Sequence, residues 1–324
     1  MTSPVVVAEI VRSDFVEGHH YGSVLALAAD GTVDWSVGDV ESPVLPRSCN
    51  KPLQAYAMVR AGLDLPPELL ALTCASHSGE DFHVEGARRI MAGADLDESA
   101  LQTPPDFPLD DAARETVIRE GGAKAPVLMN CSGKHAAMLA TCVANGWDTA
   151  TYREPDHPLQ AAIRETFEAM TGEPAQIAVD GCGAPLLSAS LVGLARGFRR
   201  LALGLDGNDS PDPRGRRVAD AIRSHPAYVS GTSRDERELL TAIPGAIGKA
   251  GAESCYAVAL PDGRAFALKT DDGAPRVRPV LMAAALERSG VLGDPDVDAE
   301  AVRRTGTVPV LGGGKPVGEI RACF

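Results

Sequence analysis

The sequence predicts an α+β fold in which strands from both ends of the chain build one antiparallel sheet and helices are inserted between them. Two observations predict it. Strand-like segments separated by turn residues cluster near both termini, and the long middle of the chain repeats apolar positions every three to four residues.

At the amino end, residues 4–11, 21–29 and 33–38 read as strands, and Asp30-Gly31 is a strong hairpin signal between the last two. Toward the other end, 255–260 and 264–269 flank Asp262-Gly263 in the same manner. A final pair, 307–311 and 316–322, flanks Gly312-Gly313-Gly314. No Lys-Ser/Thr pair and no helix follows those glycines, so they read as a tight hairpin turn and not as a phosphate loop. Between the strands, helical periodicity covers 48–61, 110–120, 132–145, 158–171, 187–197, 211–223 and 234–242. Pro158 and Gly172 mark the entry and exit of one of these helices. The proline-rich stretch 99–111 reads as a loop dividing two lobes, and 206–215 as a solvated loop. The expected organisation is a single domain, 1–324, with a sheet lobe of approximately 1–47 and 246–324 and a helical portion of approximately 48–245.

The chain has 324 residues, of which 44% are apolar, enough for one large core or two modest ones. Its net charge of -13 and the lack of a basic cluster interleaved with aromatics argue against nucleic acid and anionic membranes as partners. No uncharged run approaches the eighteen or so residues that cross a bilayer, and the amino terminus lacks a basic region and a cleavage site. Together with seven cysteines, an odd number that suits a reducing compartment, this predicts a cytoplasmic protein.

Four short stretches can carry chemistry. In 47-RSCNKP-52, Ser48 and Lys51 are three apart, a spacing that returns the amine to the face of the hydroxyl. The same pattern also suits the polar opening of an ordinary helix. Context comes from 248-GKAGAE-253: a Lys-x-Gly on an edge strand beside a Ser-x-x-Lys helix matches serine beta-lactamases and penicillin-binding proteins. In 73-TCASHSGE-80, Ser76 or Ser78 can cap the helix that follows, or supply a reactive hydroxyl. Finally, 130-NCSGKHAAML-139 and 180-DGCG-183 bring Cys131, His135, Asp180 and Cys182, two thiolates, a carboxylate and a nitrogen, which suit four-coordinate zinc.

Taken together, RSCNKP, ASHSGEDFH, NCSGKHAAML, DGCGAP, GKAGAE and ALKTDDG, spread from Arg47 to Gly273, resemble the Rhizobium-type, or class 3, L-asparaginases of the asparaginase II family. The resemblance implies a fold similar to serine beta-lactamases, penicillin-binding proteins and glutaminases, a homodimer, and hydrolysis of L-asparagine to L-aspartate and ammonia. It also implies two serine-lysine tandems, Ser48 with Lys51 and Ser76 with Lys249, the latter preferred over Lys269 because it occupies the Lys-x-Gly strand. A zinc ion is implied as well, held by Cys131, Lys134, Asp180 and Cys182, with Lys134 replacing His135 as the nitrogen donor.

On this basis Ser48 is expected to attack the amide carbon, Lys51 to take its proton, and Ser76 with Lys249 to relay protons or position water. Amides at the start of the Ser48 helix and after Lys249 would form the oxyanion hole. Arg47 is the expected partner of the substrate carboxylate, while Asn130, His135 and Glu80 would orient lysine or substrate. A glutaminase, a beta-lactam hydrolase and a zinc-dependent amino-acid-binding module without turnover are the alternatives.

Overall fold

The computed structural model describes residues 4–324, so the first three residues of the expected sheet lobe lie outside the described residues. Strand β1 (Val6–Arg12) turns at Ser13 and Asp14, both in the left-handed region, into the long β2 (Phe15–Leu27), and β3 (Val33–Val37) follows. The first half of β2 carries Phe15, Val16 and Glu17 exposed on both faces, a pattern without alternation that conceals a strand from periodicity.

The helical portion then runs through α1 (Lys51–Arg60), α2 (Pro67–Thr73), α3 (Asp81–Ala92), α4 (Asp111–Arg119), α5 (Ser132–Asn145) and α6 (Pro158–Thr171). A short hairpin, β4 (Ile177–Val179) and β5 (Pro185–Leu187), precedes α7 (Leu191–Leu203). The helix expected over 187–197 therefore begins later, because Pro185–Leu187 pairs with β4 and the Ser190 side chain caps α7 by accepting from the Gly193 amide. There follow α8 (Pro213–Ser224), α9 (Pro226–Val229), α10 (Asp235–Ala242), β6 (Ile247–Ala250), β7 (Cys255–Ala259) and β8 (Ala265–Thr270). Helices α11 (Arg278–Arg288) and α12 (Ala299–Thr305), absent from the sequence reading, separate these from β9 (Pro309–Gly312) and β10 (Lys315–Ala322).

The sheet has the order β6-β7-β8-β2-β1-β10-β9, with β3 also paired to β2, and its pairs are antiparallel. Strands from both termini meet at its centre, where Ile10 faces Ile320 and Val24 faces Leu268. The α+β expectation is met. Strand β7 is buried throughout and β8 nearly so, which requires cover on both faces; α7 and α11 both pack on these strands. In α7 the apolar positions Leu191, Leu194, Ala195, Phe198, Leu201 and Ala202 recur at helical spacing and are all buried. Each large side chain of this kind contributes roughly 1.5–3 kcal/mol by leaving water. No helix among the described residues is long and apolar enough to cross a membrane.

Candidate active site

A cleft of about 480 Å³ opens between the end of β6, the turn before α1, the start of α5 and the β4–β5 hairpin. Ser48 stands on a 3-10 turn, Arg47–Asn50, and not inside the helix, which begins at Lys51. The turn is held from behind. Cys49 Sγ donates to the Lys249 carbonyl on β6 at 2.9 Å, and Asn50 Nδ2 donates to the Leu187 carbonyl on β5 at 2.9 Å. Arg47 takes a left-handed backbone conformation, φ 53°, at a cost of about 1 kcal/mol or more. Its guanidinium is anchored by Asp180 at 2.9 Å and lies 3.7 Å from Glu253. Gly251 is required by proximity: a Cβ there would stand 2.5 Å from the Pro46 carbonyl and 3.3 Å from the Ser48 amide. The Lys-x-Gly sequence thus lets the strand end approach the serine turn.

Lys51 is fully buried, and its amine donates to the Ala75 carbonyl at 2.5 Å, to Ser76 Oγ at 3.0 Å and to Cys131 Sγ at 3.0 Å. The expected Ser48–Lys51 pairing is not the one formed. Lys51 makes its serine contact with Ser76, and the Ser48 hydroxyl, which also lines the cleft, makes no hydrogen bond among the described residues. Lys51 opens α1, and its side chain reaches the segment after α2, where Ala75 and Ser76 accept from it.

Lys249 does not meet Ser76 either. Its amine donates to Glu236 Oε1 at 2.5 Å and to the Ala250 carbonyl at 2.8 Å, in a wholly buried ion pair. Burial pushes the Lys249 ammonium below the ordinary lysine value despite the opposing Glu236 charge. Burial raises the Glu236 carboxyl, but Lys249, Arg234 and Arg278 outweigh it and hold it at about 2. Arg234 joins the two halves of the site: it donates to the Ser76 carbonyl at 2.8 Å and lies 2.8 Å from Glu236 Oε2. Lys269, the alternative partner of Ser76, donates to the Thr270 carbonyl on β8.

The segment 73–80 is not a capping turn. The N-cap of α3 is Glu80, without a side-chain cap bond, and the Ser78 hydroxyl is buried without a partner. Glu80 also lies away from the cleft, where it accepts from the Thr232 amide and hydroxyl. His135 is buried behind the cleft, hydrogen-bonded to the Tyr152 hydroxyl at 2.6 Å, with burial lowering its pKa to about 4. Asn130 lines the cleft, and Cys131 Sγ donates to its side-chain oxygen at 3.1 Å. The proline-rich loop borders the cleft through Pro104, Asp106 and Leu109.

Cys131, Lys134, Asp180 and Cys182 converge on one side. The turn 180–183 is tight, with the Gly183 amide donating to the Asp180 carbonyl at 2.8 Å and Gly183 at φ 82°, a conformation suited to glycine. Lys134 Nζ donates to Cys182 Sγ at 3.2 Å, and Cys182 Sγ is 3.7 Å from Asp180 Oδ2. Hydrogen bonding to Cys182, then burial, pushes the Cys131 thiol up; the same bond, aided by Lys134, draws Cys182 far down. Burial opposes the Lys134 charge, but Cys182, Cys131 and Asp180 outweigh it and keep the amine above the ordinary lysine range. Zinc bonds of about 2.0–2.3 Å in a tetrahedron imply ligand separations of roughly 3.3–3.8 Å, and the Lys134–Cys182 and Cys182–Asp180 separations of 3.2 and 3.7 Å are close to that. Among the described residues no three His, Cys, Asp or Glu side chains lie together as a metal-holding group, Cys131, Asp180 and Cys182 included.

The sequence reading missed Arg234, Glu236 and Arg278. Glu236 carried a signal, since it sits three and four residues before Leu239 and Leu240 on the buried face of α10.

Among solved structures, a beta-lactamase from Mycobacterium bovis is similar to this chain at 16% identity, over 82% of this chain and 94% of that one, with a TM-score of 0.46. A Bacillus glutaminase is similar at 10% identity, over 83% and 91% of the two chains, with a TM-score of 0.46. No curated protein matches the chain. The family model for L-asparaginase II matches residues 8–322, nearly the whole chain, and so spans every cleft residue named above. The chain belongs to the L-asparaginase II family, as an amidohydrolase with a small-molecule amide substrate.

Proposed function

We propose that the protein hydrolyses the side-chain amide of L-asparagine to L-aspartate and ammonia by serine-lysine catalysis. The observation that carries this reading is the buried Lys51 amine, 3.0 Å from Ser76 Oγ at the wall of a cleft that Ser48 also lines. Ser48 attacks the amide carbon, and its proton passes to Lys51 through Ser76. The same relay returns the proton to the departing nitrogen, so ammonia leaves neutral and an ester to Ser48 remains for water to cleave. The Ser48 and Ala252 amides, which among the described residues have no backbone partner outside the regular elements, are the oxyanion donors in this scheme.

Cys131, Lys134, Asp180 and Cys182 would hold zinc, whose charge would organise the amino-acid head group of the substrate. Arg47, bonded to Asp180, then orients a ligand. The homodimer implied by the resemblance, readable by sedimentation, and the cytoplasmic setting expected from the composition belong to the same reading.

The Lys51–Ser76 distance favours a second assignment, with Ser76 as the nucleophile and Ser48 as the relay. Locating the acyl ester decides the matter: a peptide from acid-quenched enzyme carrying the aspartyl ester on Ser48 supports the first assignment, and one carrying it on Ser76 supports the second.

A further inference from the structure

We propose that Arg278, and not Arg47, holds the carboxylate of the amino-acid substrate. This rests on the asparaginase reading above and names the residue that makes the site specific for an α-amino acid.

Three arginines line the cleft: Arg47, Arg234 and Arg278. Two are already committed. Arg47 donates to Asp180 and reaches Glu253, while Arg234 donates to the Ser76 carbonyl and pairs with Glu236. Arg278 is different. Both of its hydrogen bonds to Asp235, at 2.8 and 2.9 Å, come from Nη2 alone. Its Nε is buried without a partner, and among the described residues Nη1 makes no hydrogen bond.

A guanidinium presents donors in a rigid fork that suits a carboxylate. A charged donor without a partner is costly, and Nη1, on a residue that lines the cleft, is the donor left for a ligand. Arg278 is also preorganised. It is 8% exposed, begins helix α11, stacks with its guanidinium 5.5 Å from the Tyr256 ring centre, and is tied to Asp235. Little side-chain freedom remains to be lost when an anion arrives.

The test compares two substrates on the same preparations: L-asparagine, and 3-aminopropanamide, which is asparagine without its carboxylate. In Arg278→Gln the KM for asparagine should rise about 10- to 100-fold, the size of a lost charge-assisted hydrogen bond, with kcat changed little. Turnover of 3-aminopropanamide should stay within about twofold, because the missing partner was never used. Arg278→Lys, which keeps a cation, should recover part of the asparagine loss. A fraction of misfolded protein lowers both substrates equally and cancels in their ratio. Parallel losses on both substrates, or an unchanged asparagine KM, overturn the assignment. Absence of ammonia release from asparagine by the unaltered protein would instead remove the asparaginase reading and this inference with it.

Discussion

The Lys51 amine stands 3.0 Å from the Ser76 hydroxyl, which is 25 residues away in sequence, although Ser48 is its near neighbour in the chain. The proposed relay uses this contact, with Ser48 lining the same cleft. Lys51→Met should therefore reduce kcat by about 10²–10⁴, the usual contribution of a general base. It should leave the melting temperature unchanged or raised, because an apolar chain replaces a buried amine that lacks a carboxylate partner. A fall in activity accompanied by a large loss of stability would contradict this separation.

Glu236 and Lys249 form a buried ion pair and should behave as a unit. Glu236→Gln strands the Lys249 charge and should cost about 3–5 kcal/mol in urea unfolding. The double variant Glu236→Gln with Lys249→Met should recover most of that loss. Additive effects in this cycle would show that the pair is not coupled in solution.

His83 should make the fold sensitive to mild acid. Burial holds its pKa at about 4, below the ordinary 6.5, and its surroundings include Glu80 at 3.8 Å, the stacked His77 ring, Tyr228 and the Arg234 charge. The native state binds its proton less readily than the unfolded chain. The contribution is thus present above pH 6.5 and lost as pH falls toward 4, for a total of about 3 kcal/mol. Burial lowers His77 in the same direction. Unfolding free energies measured from pH 7 to pH 4 should flatten in His83→Gln, and an unchanged slope would contradict the prediction.

Metal content checks the quartet directly. Cys182→Ser should remove most bound zinc, while Arg47→Gln, which frees Asp180, should weaken zinc about 10- to 100-fold in competition with a chelator. Equal zinc in all three proteins would dismiss the quartet as its site.

Much of this was legible in the sequence, for identifiable reasons. Helices α5 and α6 match their predicted limits because Pro158, Gly172 and a regular apolar stripe define them. The terminal strands were legible through Asp-Gly turns and alternation, except where exposed Phe15 and Val16 broke the pattern. The cleft residues Ser48, Ser76, Asn130, Cys131, Asp180 and Cys182 were each foreseen, but the partners of Lys51 and Lys249 were not. Spacing along a helix could not reveal that tertiary packing sets the segment after α2 against the Lys51 amine. Arg278 was hidden because an arginine opening an apolar helix looks solvated, and only tertiary packing buries it.

The most direct test of the central claim is ammonia release from L-asparagine and L-glutamine by the same purified sample, with its zinc content determined alongside. The account predicts release from asparagine, markedly slower release from glutamine, and about one zinc per chain, as a single four-ligand site implies. No release from zinc-loaded protein, or faster release from glutamine, would contradict it.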